Sequence, residues 1–553
     1  MKSREGRGAA RSGPAGAPRP FSQAPGLLAL ALVLLPATAS GQPQTEELLT
    51  RAEATDFVET SSYDDILTFL AAVESASPDL HLGGFGYSYE GRRLPLVVWG
   101  APNATAEAVR ATDKVRVLVM ANIHAGEVEG KEASLQILRE ISRGAHAAWR
   151  DSLVLLVAPI YNADGNERVR LDNRPFQLGP IGGMGQRPNA QELDLNRDYM
   201  KLESPEARSL VKLFTEFDPH VVIDLHATNG THHGYHLTYS PPLHPGTDPA
   251  IVELARGRWL PAATADLAPD WSTWHYGNLP REGMGAEWGW YTFSAQPRFG
   301  SNYAGLRNRF GLLSEAYAYL PFEDRIEVTR RFVETLLDYA AAHAGEIRQR
   351  AREADARDLT GIELPVRAEY DCGPEVEILL GEVEALRHPY TGETMLRRLP
   401  AQRPVRMADC TAFRGTETSR VPAVWLVPPG LEAAIELLTA HGVRWRALPE
   451  PMTIQGEAFA ITRTSQAERE FQGHRERTLE GRWEQTTATL PAGTVVVPSA
   501  QPLGRLAFYL LDPRGDDGLV AWNVLDEALE GASYPILRAA APPAGFQASA
   551  GSR

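Results

Sequence analysis

The sequence predicts an α/β protein whose main sheet is buried between helices, followed by a smaller β-rich region. Three observations carry that expectation. From about residue 80 to about residue 345, apolar strand-like runs alternate with helix-like stretches, the pattern of a sheet covered on both faces. Several of these runs are continuous and bounded by turn residues, which reads as fully buried strand. Beyond about residue 360 the texture changes to short strand candidates separated by Pro and Gly.

The elements follow in chain order. Lys2, Arg4, Arg7, Arg11 and Arg19 precede an apolar stretch at 26–36, and small residues occupy 37–41. A charged start, a short apolar core and a small-residue end describe a secretory signal peptide over residues 1–41. A membrane span would want about 18 or more apolar residues. The expected location is therefore secreted or periplasmic. Residues 63–76 read as an amphipathic helix with Ile66, Phe69, Leu70 and Val73 on one face. Strands are expected at 80–86 and 94–100, joined by a turn at the Glu90-Gly91 step.

The next runs end in residues with chemistry to offer. Residues 115–123 lead to His124-Ala-Gly-Glu127, with a helix expected at 129–141; residues 153–160 lead to Tyr161-Asn-Ala-Asp-Gly165. Residues 221–225 end at His226 and 310–314 at Glu315. In open α/β sheets the chemistry gathers at the carboxyl ends of strands, and His124, Glu127, His226 and Glu315 obey that rule together. A long charged helix at 323–352 closes a first domain, 42–352. The second, 360–553, has strand candidates at 376–379, 423–427, 458–463, 494–497 and 506–511, and one helix at 431–441.

Length and composition bound the reading. The 553 residues suffice for two or three domains, and 43% hydrophobic with 23% charged residues is ordinary for globular protein. The formal charge is −15, and losing a leader with five basic residues and one acidic residue, Glu5, leaves the chain more acidic still. That disfavours nucleic acid and anionic membranes as partners. No other run is long enough to cross a bilayer, so no anchor is expected after leader cleavage. Cys372 and Cys410 can form one disulfide in an exported protein, but two thiolates cannot make a zinc site alone.

The chemistry starts from His124 and Glu127. An imidazole nitrogen and a carboxylate oxygen both suit zinc, and a catalytic zinc commonly takes three protein ligands and leaves a fourth position for water. By itself His-x-x-Glu is short enough to arise by chance. Between the second and third of these strands lies Leu193-Asp-Leu-Asn-Arg-Asp-Tyr199, a polar cluster that neither helix nor strand period explains. Asn196 and Arg197 offer a fork of donors suited to a carboxylate.

Taken in order, His124-Ala-Gly-Glu127, Asn162-Ala-Asp-Gly165, Asp194-Leu-Asn-Arg197, Asp224-Leu-His226 and Ser314-Glu315 resemble the zinc metallocarboxypeptidases of the carboxypeptidase A type, over roughly residues 60–330. The resemblance implies an α/β/α fold around an eight-stranded mixed sheet, one Zn2+ per chain, and hydrolysis of the last peptide bond of a substrate with a free C-terminal carboxylate. It implies His124, Glu127 and His226 as zinc ligands and Glu315 as general base and acid. Arg187 matches the arginine that polarises the scissile carbonyl, with Arg174 the competing candidate. Asn196 and Arg197 match the pair that grips the terminal carboxylate, and Asp194 the carboxylate that orients a ligand histidine. Tyr303 is the expected substrate-capping tyrosine, in competition with Tyr291. His232, His233 and His236 crowd the stretch after His226 and are expected at the rim rather than on the metal.

The chain departs from the family in having Ala163 where Pro is usual and Glu192 where Gly is frequent, neither of which removes a catalytic group. A related zinc deacylase or amidase on acyl-amino acids or cell-wall peptides is the nearest alternative activity. A catalytically silent peptide-binding protein is the other, and retention of Glu315 argues against it.

Overall fold

Strand by strand, apolar burial decides the order of the central sheet. In the computed structural model, which describes residues 48–280, 288–529, 531 and 533–543, nine strands precede residue 320. They are β1 (Leu80–Tyr87), β2 (Arg93–Trp99), β3 (Val115–Ala121), β4 (Leu153–Ala158), β5 (Val221–Thr228), β6 (Leu237–Ser240), β7 (Thr273–His275), β8 (Gly289–Tyr291) and β9 (Phe310–Tyr317). The leader expected at 1–41 lies outside the described residues.

Eight of these strands form one mixed sheet in the order β1-β2-β4-β3-β5-β9-β6-β7. The run β4-β3-β5-β9 is parallel, and these are the continuous apolar stretches of the sequence. Every residue of β4 and β5 is buried, as strands with helices on both faces must be. Burying one Leu, Ile or Val side chain contributes about 1.5–3 kcal/mol, so these strands supply much of the driving force.

Helices lie on this sheet where their periodicity says they should. The helix Tyr63–Ala76 buries Ile66, Phe69, Leu70 and Val73 and starts at a capping box made by Ser62 and Asp65. The helix Glu129–Ser142 begins just after Glu127 and packs closely on the sheet. A Cβ at Gly130 would lie 2.6 Å from Leu225 Cβ, so glycine is what allows this approach. The expected helix at 323–352 is instead two, Phe322–Ala342 and Ala344–Ala356, broken at His343. No helix among the described residues is long and apolar enough to cross a membrane.

The β-rich region is present, with β10 (Glu363–Tyr370), β11 (Glu375–Arg387), β12 (Thr394–Cys410), β13 (Phe413–Arg420), β14 (Val424–Val427), β15 (Arg446–Ala447), β16 (Met452–Gln466), β17 (Arg477–Leu490), β18 (Val495–Pro498) and β19 (Leu537–Ala539). The strand expected at 506–511 is a helix, Gly504–Leu511, buried on every side. A short apolar run buried all round has no period by which strand and helix can be told apart. The β-rich region is joined to the rest: β12 pairs in parallel with β8, and one apolar cluster runs from Ile66 to Ile536. Cys372 and Cys410 form a disulfide that ties the segment preceding β11 to the last residue of β12.

Candidate active site

Strand geometry brings the chemical residues together. Asn122 takes φ +64° just past β3, a left-handed conformation that Asn tolerates, and the turn leads into His124 and Glu127. His226 and Glu315 are register partners on the parallel strands β5 and β9. Side chains two apart on a strand share a face, which puts Asp224 beside His226.

The ligand atoms of His124, Glu127 and His226 lie within 4.8 Å of one another, and all three residues are buried. His124 Nδ1 is 3.1 Å from Glu127 Oε1, and His226 Nδ1 is 2.9 Å from Glu127 Oε2. The far nitrogen of each ring faces a carboxylate: His124 Nε2 is 3.0 Å from Asp194 Oδ1, and His226 Nε2 is 3.1 Å from Asp224 Oδ2. Two imidazoles and a carboxylate, each ring steadied by an acid behind it, fit a zinc ion in donor type and in supporting groups. A second group of possible ligands, Glu140, His146 and Glu334, is already neutralised, because Arg330 pairs with Glu140 and both Arg330 and Arg331 pair with Glu334.

Charge is arranged around these groups. Burial works to raise Glu127, but the charges of His124 and Arg174 outweigh it and hold the carboxyl well below the usual range. Asp194 is likewise held low: burial opposes ionisation, while His124 and Arg187 favour it. Arg187 donates to Asp194 Oδ2 from Nε (3.0 Å) and Nη2 (2.8 Å). Arg174 donates from Nη1 to Glu127 Oε1 (2.9 Å). Glu315 differs from the other two carboxyls. Burial pushes it up to about 8, the Glu127 charge adds to this, and His226 with the two arginines opposes it. Two carboxyl groups in one cleft thus have affinities for protons driven apart, the arrangement expected where one binds a cation and the other moves a proton.

A cleft of about 370 Å³ is lined by His124, Glu127 and His226 with Glu315, Arg174, Arg187, Asn196 and Arg197. Asn196 Oδ1 accepts from Gly300 N–H (3.0 Å), and the Arg197 guanidinium lies 4.0 Å over the Phe299 ring. Asp194 caps the single turn Leu195–Arg197, its Oδ1 accepting from Asn196 N–H (2.9 Å). Asn162 does the same for the turn that follows β4, accepting from Gly165 N–H (2.9 Å).

Tyr303 departs from expectation. It sits in the helix Gly300–Leu306 rather than in a loop, with no exposed surface. Its hydroxyl is engaged by His441 Nδ1 (2.8 Å) and Arg307 Nη1 (3.1 Å), so it is part of the core and does not line the cleft. Tyr291 is buried in β8 against Tyr370. The tyrosine on the cleft wall is Tyr276, next to Asn278 and Phe293. No periodicity marks Tyr276, which follows a three-residue strand. His233 is buried with its ring tilted against Tyr317 and does not line the cleft, and His232 lines a separate cavity of about 380 Å³ with Thr231, Gln402 and Arg403.

Residues 66–257 match the family described as zinc carboxypeptidase. The chain is similar to Carboxypeptidase 2 of Trichophyton tonsurans, 24% identical over 468 residues, covering 82% of this chain and 81% of that protein. It is similar to Carboxypeptidase 2 of Trichophyton rubrum at 24% identity over 475 residues, 83% of this chain and 82% of the relative. Among solved structures, a metallo-carboxypeptidase from Pseudomonas aeruginosa in complex with (2-guanidinoethylmercapto)succinic acid aligns with 52% of this chain and 70% of its own, at 16% identity and a TM-score of 0.38. The carboxypeptidase A from Helicoverpa armigera aligns with 52% of this chain and 75% of its own, at 16% identity and a TM-score of 0.39.

Proposed function

We propose that this chain, a member of the zinc carboxypeptidase family, is an exported enzyme that removes the C-terminal residue of peptides or proteins bearing a free carboxylate. The observation that carries the reading is a single cleft in which the His124, Glu127 and His226 donors, the Glu315 carboxyl and the Asn196–Arg197 pair all meet. His124 and His226 would hold one zinc through Nδ1, and Glu127 through its carboxylate. When bound, zinc supplies Lewis acidity, polarising a carbonyl and acidifying water.

The protein's own groups perform the rest. Asn196 and Arg197 bind the terminal carboxylate and set the register, so that the last peptide bond is the one presented. Arg187, held by Asp194, or Arg174, held by Glu127, steadies the negative charge that develops on the scissile carbonyl oxygen. Glu315 takes the proton from the attacking water and returns it to the leaving amine, a role suited to a carboxyl raised toward neutrality. Asp194 and Asp224 hold the two imidazoles in the tautomer that leaves Nδ1 available. Tyr276 takes the place on the cleft wall for which Tyr303 was the sequence-based candidate.

Export is supported by the leader-like residues 1–41 and by the Cys372–Cys410 disulfide, since such bonds persist in oxidising compartments. The β-rich region beyond residue 360 is read as an accessory domain that shares the apolar core. The direct test is a panel of C-terminally varied peptides read by mass spectrometry, run on the wild type and on Glu315→Gln. Loss of one C-terminal residue by the wild type, about one zinc per chain in both proteins, and a rate reduced about 1,000-fold or more in the variant are expected. Internal cleavage, or full activity in Glu315→Gln, would overturn the assignment.

A further inference from the structure

The chain turns between β16 and β17 at residues 467–476. Phe471 and His474 close the turn with paired backbone hydrogen bonds of 2.7 and 3.0 Å. Gln472 takes φ +51° and Gly473 φ +80°. A non-glycine residue in that region carries a cost of order 1 kcal/mol and persists where surrounding contacts fix it. Here the contact is with the active site. Gln472 Oε1 accepts a hydrogen bond of 2.8 Å from the backbone N–H of Asp194, a residue 278 positions earlier.

Side chains on both flanks seat the tip. His474 Nε2 lies 2.6 Å from Glu203 Oε1, and its Nδ1 lies 3.1 Å from Asn523 Oδ1. Phe471 packs under the Arg298 guanidinium, 5.3 Å from the ring centre, and the same guanidinium lies 4.5 Å over Trp522. Arg298 is held by Asp517 (2.9 Å) and Glu476 (2.5 Å), and it immediately precedes Phe299 and Gly300, which touch Arg197 and Asn196.

Asp194 is the residue on which several site contacts converge. Its carboxylate holds His124 Nε2 and Arg187, and its backbone starts the turn that presents Asn196 and Arg197. Only 8% of Asp194 is exposed, so removing the Gln472 oxygen leaves its N–H without that acceptor at a place where water enters poorly. The cheapest relief is a shift of the Asp194 backbone, which moves the carboxylate off His124 and rotates the clamp.

We propose that Gln472 is a positioning residue of the active site, which fixes Asp194 and through it both the His124 ligand and the Asn196–Arg197 clamp. The inference rests on the zinc carboxypeptidase reading for what those residues do. The β16–β17 tip is then a working part of the cleft.

Gln472→Leu keeps the side chain's size and removes the acceptor, while Gln472→Glu keeps an acceptor oxygen. Zinc affinity is measured by competition with a chromophoric chelator, and KM and kcat on a free-carboxylate peptide are measured beside it. The expected result for Gln472→Leu is zinc binding weakened by about threefold to tenfold, below the roughly 10–100-fold seen when a ligand's direct partner is lost. KM rises by a similar factor, the melting temperature of the metal-free protein falls by no more than about 4 °C, the order expected for one buried N–H left unpaired, and Gln472→Glu restores both constants. Unchanged zinc affinity and KM overturn the proposal. So does a loss that Gln472→Glu fails to restore, or one accompanied by a metal-free melting temperature lowered by much more than about 4 °C, which marks a general structural role. A wild type that removes no terminal residue would sink the zinc carboxypeptidase reading instead, and the chelator competition, which needs no turnover, would still decide the role of Gln472.

Discussion

Arg197 spends one donor on its neighbour, Nη1 to Asn196 O at 2.6 Å, and rests its flat face on Phe299. A guanidinium carries five N–H donors, so others remain for a substrate carboxylate. A hydrogen bond to a charged group contributes about 1.5–3 kcal/mol. Arg197→Ala is expected to lower kcat/KM on a peptide with a free C-terminus by roughly 10–150-fold, and to change hydrolysis of the C-terminally amidated peptide little. Equal losses on the two substrates would remove the clamp from the mechanism. The residues of this site were legible in the sequence where backbone geometry and chemistry coincide. His124, His226 and Glu315 stand at strand ends, and Asp194 to Arg197 form a polar run that no helix or strand accounts for. Tyr303 was not legible as a core residue, because its Gly-Ser-Asn-Tyr-Ala-Gly setting reads as a loop while the chain makes a buried helix of it. Gln472 was beyond reach, since its partner is a backbone group and nothing local marks the pairing.

At the level of elements, the helix Glu129–Ser142 couples the turn that carries His124 and Glu127 to the sheet. Its Gly130 faces Leu225, next to His226, and a Cβ there would also lie 3.2 Å from Ala121 Cβ at the end of β3. Alanine gains about 1 kcal/mol of helix propensity over glycine. A Cβ 2.6 Å from another Cβ, with backbone on either side, costs more than that. Gly130→Ala is therefore expected to destabilise the protein by about 1–3 kcal/mol and to weaken zinc binding, read by urea unfolding and by zinc per chain after dialysis. A variant more stable than wild type would show that the helix can slide without cost. β3, β4, β5 and β9 were legible because buried parallel strands write themselves as unbroken apolar runs, and β1 and β2 through the turn between them, whereas β6, β7 and β8, of three or four residues each, were not. β12 was not. It carries Pro400 and Pro404, which argue against a strand when read locally, and much of its length is exposed, so no alternation marks it.

For the molecule as a whole, acid is the expected weakness. His233, His244 and His441 are buried, and burial pushes each down to about 3. In the unfolded chain a histidine titrates near 6.5. Between these values the unfolded state binds protons that the folded state refuses, so the stability present above about pH 6.5 is lost as pH falls toward 3, at up to about 1.4 kcal/mol per pH unit for each histidine. Urea midpoints at pH 7, 6 and 5 should fall progressively, and a flat series would mean that these rings find partners for their charge. His441 matters most to the architecture, since it joins the β-rich region to Tyr303 and to Met200 O, near the clamp. The ion pairs of Arg298 carry a related consequence for how the protein is made. Asp517 and Glu476, which balance that buried arginine, are synthesised long after the ligand residues and Glu315. A chain that ends before residue 476 lacks both partners of Arg298, and one that ends before residue 517 lacks the buried one. The segment that carries Phe299 and Gly300 is therefore balanced in charge only when the last third of the chain is present.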